Sequence, residues 1–204
     1  LIAIVPQYLV VNPDLPIKTV KDLVELAKKS PGQINYGSGG SGVTNHLIME
    51  LFKNASGVNM THVPYKGGPA ALTDLMAGRI SAMFETGPGA IPHIQSGRLR
   101  AIAVSSAQRA AATPDIPTVA ESGYPGFQAV AWIGLVAPAK TPESVINTLS
   151  KISMNALREK DFAAKLAALG AVPVGNTPSE FRSFIEEELK RWSVAVKLSG
   201  AQVD

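Results

Sequence analysis

Cysteine is absent from this 204-residue chain, which excludes disulfides, thiolate metal ligands and a cysteine nucleophile and leaves the redox compartment open. Charge is sparse. Only 17% of residues are charged, and 19 basic against 16 acidic side chains leave a formal net charge of +3. The basic residues are scattered, without the stripe that nucleic-acid binders present to phosphates. Long apolar runs are lacking too: none approaches the ~20 residues that span a bilayer. The three histidines, at 46, 62 and 93, show no metal-ligand spacing, and H-E-x-x-H does not occur. The opening "LIAIVPQYLV" has no basic leader and no small-residue cleavage site, so it is not a signal peptide. It reads instead as a strand entered part-way, as if something upstream had been removed.

With 46% hydrophobic residues, what is present suffices to bury a real core. Strand-like and helix-like segments alternate. Leu1 to Val11 reads as one strand, followed by a turn at Asn12-Pro13-Asp14. Val20, Leu23, Val24 and Ala27 mark one helix face, with Thr19 as N-cap and Pro31-Gly32 as the stop. A short strand, Ile34 to Tyr36, leads through a glycine-serine loop into a helix from about Val43 to Asn54. Strands follow at Met60 to Tyr65, at Ile80 to Glu85 and in "LRAIAVSS", with a helix opened by Pro69 and a shorter one, "AIPHIQS", between them. This alternation predicts a mainly parallel, helix-covered sheet. After the irregular, proline-rich middle, "AVAWIGLVAP" supplies one more strand. Three helices then follow, opened by Thr141-Pro142, by Asp161 and by the capping box "TPSE". The shift in composition near residue 125 predicts an α/β lobe over 8–125. A second, helix-rich lobe over 126–204, together with 1–7, has too few strands to form a sheet and is incomplete.

The loop "GSGGSG" after the Ile34 strand admits several functions. Gly37, Gly39 and Gly42 fit G-x-G-x-x-G between strand and helix, the fingerprint that lays a pyrophosphate on a helix N-terminus. The next strand ends "HVPYKGG", however, without the carboxylate that holds a ribose. Lys66 is a poor substitute, facing a 2′-phosphate. An NADP-binding, Rossmann-like oxidoreductase fragment is therefore the alternative reading. Catalysis would draw on Ser38 or Ser41 with His46, or on Glu85 as a base, but G-x-S-x-G is missing and His46 sits a turn inside its helix. Anion capture without chemistry fits best. A helix N-terminus offers unpaired N–H groups and about half a positive charge, glycines admit a carboxylate close to the backbone, and Ser41, Thr44 and Asn45 add donors. A loop that merely turns the chain is the bland alternative.

Six blocks in order carry a resemblance: "LVVNPDLP", "INYGSGGSGVTNHLIMELF", "HVPYKGGPAALTDLMAGRISAMFE", "PHIQSGRLRAIAVSSAQR", "PDIPTVAESGYPGF" and "WIGLVAPAKTP". Together they resemble the periplasmic receptors of tripartite tricarboxylate transporters, the Bug family, over essentially the whole chain. The resemblance implies a type II periplasmic-binding-protein-like α/β fold, a Venus flytrap with one complete lobe here and one incomplete. It implies a non-catalytic receptor with no cofactor, in which a carboxylate ligand sits between the lobes and is passed to membrane subunits. By the same likeness the ligand-binding residues are Gly40, Ser41, Gly42, Thr44, Asn45 and His46 of the loop, with Tyr65, Lys66 and Glu85 at neighbouring strand ends. Glu85 stands where the family usually has Asp. The family's opening section, with its own glycine-rich loop, has no counterpart. Apolar faces of the C-terminal helices, marked by Trp132 and Trp192, are then expected to need another cover, which a dimer or swapped assembly would supply.

Overall fold

A computed structural model describes residues 1–168 and 170–201. The opening apolar run is two strands rather than one. Pro6 lacks an N–H to donate, and the chain changes sheets there. β1 (Ala3–Val5) and β2 (Gln7–Val11) pair in different sheets on either side of it. β2 enters a five-stranded sheet with β3 (Asn35–Ser38), β4 (Thr61–Pro64), β5 (Ala82–Thr86) and β6 (Arg100–Val104), in the order β4-β3-β5-β2-β6. β4, β3 and β5 are mutually parallel, while β2 is antiparallel to both β5 and β6. The sheet is therefore mainly parallel, with β2 as its one reversed strand.

Helices cover both faces. α1 (Val20–Lys29) and α2 (Thr44–Ser56) pack on the face that carries Leu9, Val11 and Phe84. α3 (Gly68–Met76) and α4 (Gly87–Gln95) pack on the face that carries Tyr8, Val10 and Met83. Burial from both sides explains why β2 reads as continuously apolar rather than alternating. α1 starts at a full capping box, in which Thr19 and Asp22 satisfy each other's backbone N–H. α4 starts earlier than "AIPHIQS" suggested. Pro88 lies in its first turn, where a missing N–H costs nothing, and its flanking glycines had disguised the start as loop.

The second sheet corrects an expectation. The C-terminal part does form one: β1 is the centre of a three-stranded antiparallel sheet between β7 (Ala131–Ile133) and β8 (Val172–Pro173). The pairing joins segments more than 120 residues apart, which no local pattern announces. α5 (Glu143–Arg158), α6 (Lys160–Ala168) and α7 (Pro178–Ser199) accompany it. The 22-residue α7, opened by the Thr177–Glu180 capping box, serves both parts. Near its start Phe181 fills the space beside Gly134 and meets Trp132 edge-on. Near its end Trp192 packs against the α1/α2 core and donates its indole N–H to Glu188 at 2.7 Å. Trp192 thus finds its cover within the chain. An apolar groove of about 330 Å³ remains open between α5 and α7, where Leu1, Leu149 and Phe181 are among its walls.

Gly37 is fixed by packing. A Cβ there would collide with Ile80 Cδ1 and lie 3.3 Å from Ala71 Cβ. Gly37→Ala is expected to destabilise the fold by ~1–3 kcal/mol through overpacking, and Ile80→Val in the same chain should recover part of the loss by removing Cδ1. Urea unfolding midpoints of the single and double variants check this; equal midpoints for Gly37→Ala with and without Ile80→Val would reject the contact.

Candidate functional site

Because β3, β4 and β5 are parallel, their C-terminal ends share one edge of the sheet, and each leads through a short loop or directly into a helix. The N-termini of α2, α3 and α4 therefore gather at that edge. None of the three has a side-chain cap, in contrast to α1 and α7, although α5 also starts without one. Their first-turn N–H groups are available for an anion.

The loop before α2 is braced from within. Asn45 Oδ1 accepts the Gly39 N–H at 3.2 Å, and His46 Nδ1 accepts the Gly42 N–H at 3.0 Å. Gly40 and Gly42 have φ of 142° and 77°, which L side chains rarely adopt. Ser41 is exposed and Thr44 half-buried, so both hydroxyls can face a ligand. His46 is buried, and its ring stacks on His62 at 3.8 Å between centroids, with Tyr36 beyond His62. Tyr36 donates to Glu50, and Lys53 closes the cluster on Glu50 at 2.7 Å. His46 and Asn45 accordingly hold the loop in shape from behind.

The three residues on neighbouring strand ends divide. Tyr65 spends its hydroxyl on Asp74 Oδ2 at 2.8 Å, facing α3 rather than the loop. Lys66 is exposed. Glu85 is 8% exposed, and its Oε1 accepts the Thr86 N–H and hydroxyl at 2.8 and 2.9 Å. Gln7, opposite Thr86 in the β2–β5 register, was not singled out from the sequence. A polar residue directly after Pro6 in an apolar run was the available signal.

Two observations weigh against the enzymatic readings. Gly39 faces Gly67 and Gly68, whose backbone a Cβ would meet at 3.2 Å, and Gly37 packs on Ile80 and Ala71, so packing accounts for two of the three glycines of the G-x-G-x-x-G pattern. Ser38 does contact His62 at 2.6 Å, but the serine is fully buried and also hydrogen-bonded to both backbone groups of Gly40. It cannot reach a substrate. Among the described residues no group of three or more His, Cys, Asp or Glu is placed to hold a metal.

The family described as "Tripartite tricarboxylate transporter family receptor" matches residues 1–200. The chain belongs to this receptor family. Protein BugT of Bordetella pertussis is 37% identical over 199 residues, 98% of this chain and 61% of that protein. A UPF0065 protein from the tcbD-tcbE intergenic region of Pseudomonas sp. is 34% identical over 94% of this chain and 57% of its own length. The chain thus spans about three-fifths of the length of these two relatives. Among solved structures, R. palustris Rpa4515 with adipate superposes with a TM-score of 0.84 at 36% identity, covering 98% of this chain and 67% of that one. MatC from Rhodopseudomonas palustris, with bound malate, gives 0.78 at 29% identity, covering 95% and 67%. The type II receptor fold expected from the sequence is the one observed. No helix among the described residues is long and apolar enough to cross a membrane.

Burial, the adjacent His46 ring and Lys53 hold the His62 imidazole down at about 4, and burial lowers His46 as well. The folded state therefore binds fewer protons than the unfolded chain between about pH 6.5 and about pH 4. Stability is expected to fall as the pH drops through that window and to level off below it. Unfolding titrations at several pH values should show a shallower acid loss in His62→Gln than in the parent. Parallel pH profiles would remove His62 from the account.

Proposed function

We propose that this chain is the larger part of a periplasmic receptor that captures a small organic carboxylate and delivers it to the membrane subunits of a tripartite tricarboxylate-type transporter. The uncapped start of α2 carries the proposal. It combines free N–H groups, a glycine backbone open to close approach and the Ser41 and Thr44 hydroxyls, on a loop stiffened by Asn45 and His46. Such a site can hold an anion, and the family to which the chain belongs consists of receptors. Adipate and malate, the molecules bound in two of the neighbours, are both small carboxylates.

In this proposal residues 8–125 form one lobe, and 126–204 with 1–7 form part of the other. The lobes close on the ligand, which favours the closed state through contacts it makes only there. The open groove between α5 and α7 is covered, in the same proposal, by chain corresponding to the relatives' remaining length. A dimer or swapped assembly is the other way to cover it.

A thermal-unfolding screen against small carboxylates and nicotinamide nucleotides tests the function. An acid at a hundred times its dissociation constant should add ~2.7 kcal/mol of stability. Ser41→Ala and Thr44→Ala should each weaken that acid roughly tenfold or more, since a hydrogen bond to a charged group is worth ~1.5–3 kcal/mol. Stabilisation by a nucleotide and by no acid, or full affinity in both alanine variants, would overturn the proposal.

A further inference from the structure

Ser41 stands between two glycines that are each held from behind by one of two stacked histidines. On one side the Gly40 N–H donates to Ser38 Oγ at 3.1 Å, and Ser38 in turn meets His62 Nε2 at 2.6 Å. On the other the Gly42 N–H donates to His46 Nδ1 at 3.0 Å. The two imidazoles lie 3.8 Å apart and 8° from parallel. Ser38 has one hydroxyl proton, which it gives to Gly40 O, so His62 Nε2 is the donor in its contact. His62 can therefore gain a proton at Nδ1 without disturbing that bond. His46 has no such latitude. A proton on its Nδ1 would set two donors against each other across 3.0 Å, and the Gly42 N–H would have to turn away.

The surroundings decide which ring takes the first proton. Facing the pair are Glu50 and Lys53 from α2 and Tyr36 from β3. Glu50 Oε1 lies 3.8 Å from His46 Nε2 and favours the charged form of His46, although Lys53 and the Tyr36 hydroxyl share that carboxylate. Burial depresses both rings, and the His46 charge depresses His62 further, to about 4. His46 is therefore the ring that charges first, at a pH below the ordinary histidine value. α7, which packs along α2, brings Trp192 against the core and Ala201 beside Gly42, while its buried Glu188 is taken up by Arg191 and Trp192 within the helix. A bound carboxylate pulls the other way, since its charge favours an imidazolium nearby. That attraction acts through the loop on a buried ring, whereas the broken hydrogen bond acts directly on the glycine beside Ser41. The two effects have opposite signs in a binding titration.

We propose that His46 is a positioning residue that latches the carboxylate loop through its own protonation. Neutral, it holds Gly42 and thereby Ser41 in place for the ligand. Protonated at Nδ1, it lets Gly42 go, so the receptor captures in neutral surroundings and releases in acid ones. This regulation rests on the carboxylate-receptor function proposed above. In NMR spectra of the protein without ligand, the Gly42 amide and the His46 ring nitrogens are expected to titrate together, with Nδ1 unprotonated at neutral pH. Calorimetric titration with malate and with adipate is expected to show affinity falling by up to about tenfold per pH unit between about pH 7 and about pH 5, with a proton released on binding. His46→Asn keeps an acceptor oxygen near the Nδ1 position and does not titrate, so in this variant only the acid's own protonation should remain in the profile. The slope is the quantity compared, whatever affinity the variant has at neutral pH; a merely structural role would lower affinity at every pH and leave the slope alone. Parallel profiles in His46→Asn and the parent, or an affinity that rises in acid, overturn the latch. So does a Gly42 amide that stays in place while His46 titrates, and that observation needs neither a variant nor a ligand. Failure of both acids, and of every other small carboxylate, to bind overturns the receptor function instead, and the Gly42 amide still decides the latch.

Discussion

Parallel registry of β4, β3 and β5 is the constraint on which the site depends. Tyr36 pairs with His62 on one side and with Ala82 on the other, so the three strands end at one edge. Each strand leads within five residues into a helix, and three positive helix ends are thereby brought together at that edge. Reversing any one strand would send its helix start to the opposite edge. β2, the reversed strand, runs between β5 and β6 and contributes its first residue, Gln7, to the same edge. It also carries the chain across from the smaller sheet.

Behind that edge the loop is held by neutral polar chemistry. His46 can accept the Gly42 N–H only while Nδ1 is unprotonated, and stacking on His62 at 3.8 Å is tolerable only between uncharged rings. Burial and the Lys53 ammonium keep both imidazoles neutral, while Glu50 takes up the Lys53 charge and the Tyr36 hydroxyl. The consequence reaches the loop: Gly40 and Gly42 stay in their unusual conformations, with the Gly40 N–H bonded to Ser38 Oγ and the Gly42 N–H to His46 Nδ1.

What was legible in the sequence was local. The Thr19 and Thr177 capping boxes appear where their residue types implied, because a cap is settled within four positions. The loop between β3 and α2 was legible for the same reason. The α4 start was hidden by glycines on both sides of Pro88, and the break at Pro6 by the apolar residues around it. The β7-β1-β8 sheet depends on pairing across most of the chain. For the candidate site the sequence supplied residue types but not their neighbours. Asn45 and His46, chosen as ligand contacts, turn back to brace the loop, and Tyr65 is engaged by Asp74. Residue type announces a donor or acceptor; only the fold says which neighbour consumes it. The glycines show the same limit, since the pattern that suggested a nucleotide is explained by Ile80, Gly67 and Gly68.

The uneven capping of the helices bears on function. A side-chain cap is worth ~1 kcal/mol, and α1 and α7 have full capping boxes far from the edge where the ligand is proposed to bind. α2, α3 and α4 forgo this stabilisation together, at the one edge where their N-termini converge. A cap at Val43 would place a side-chain oxygen on the same N–H groups that a ligand anion needs.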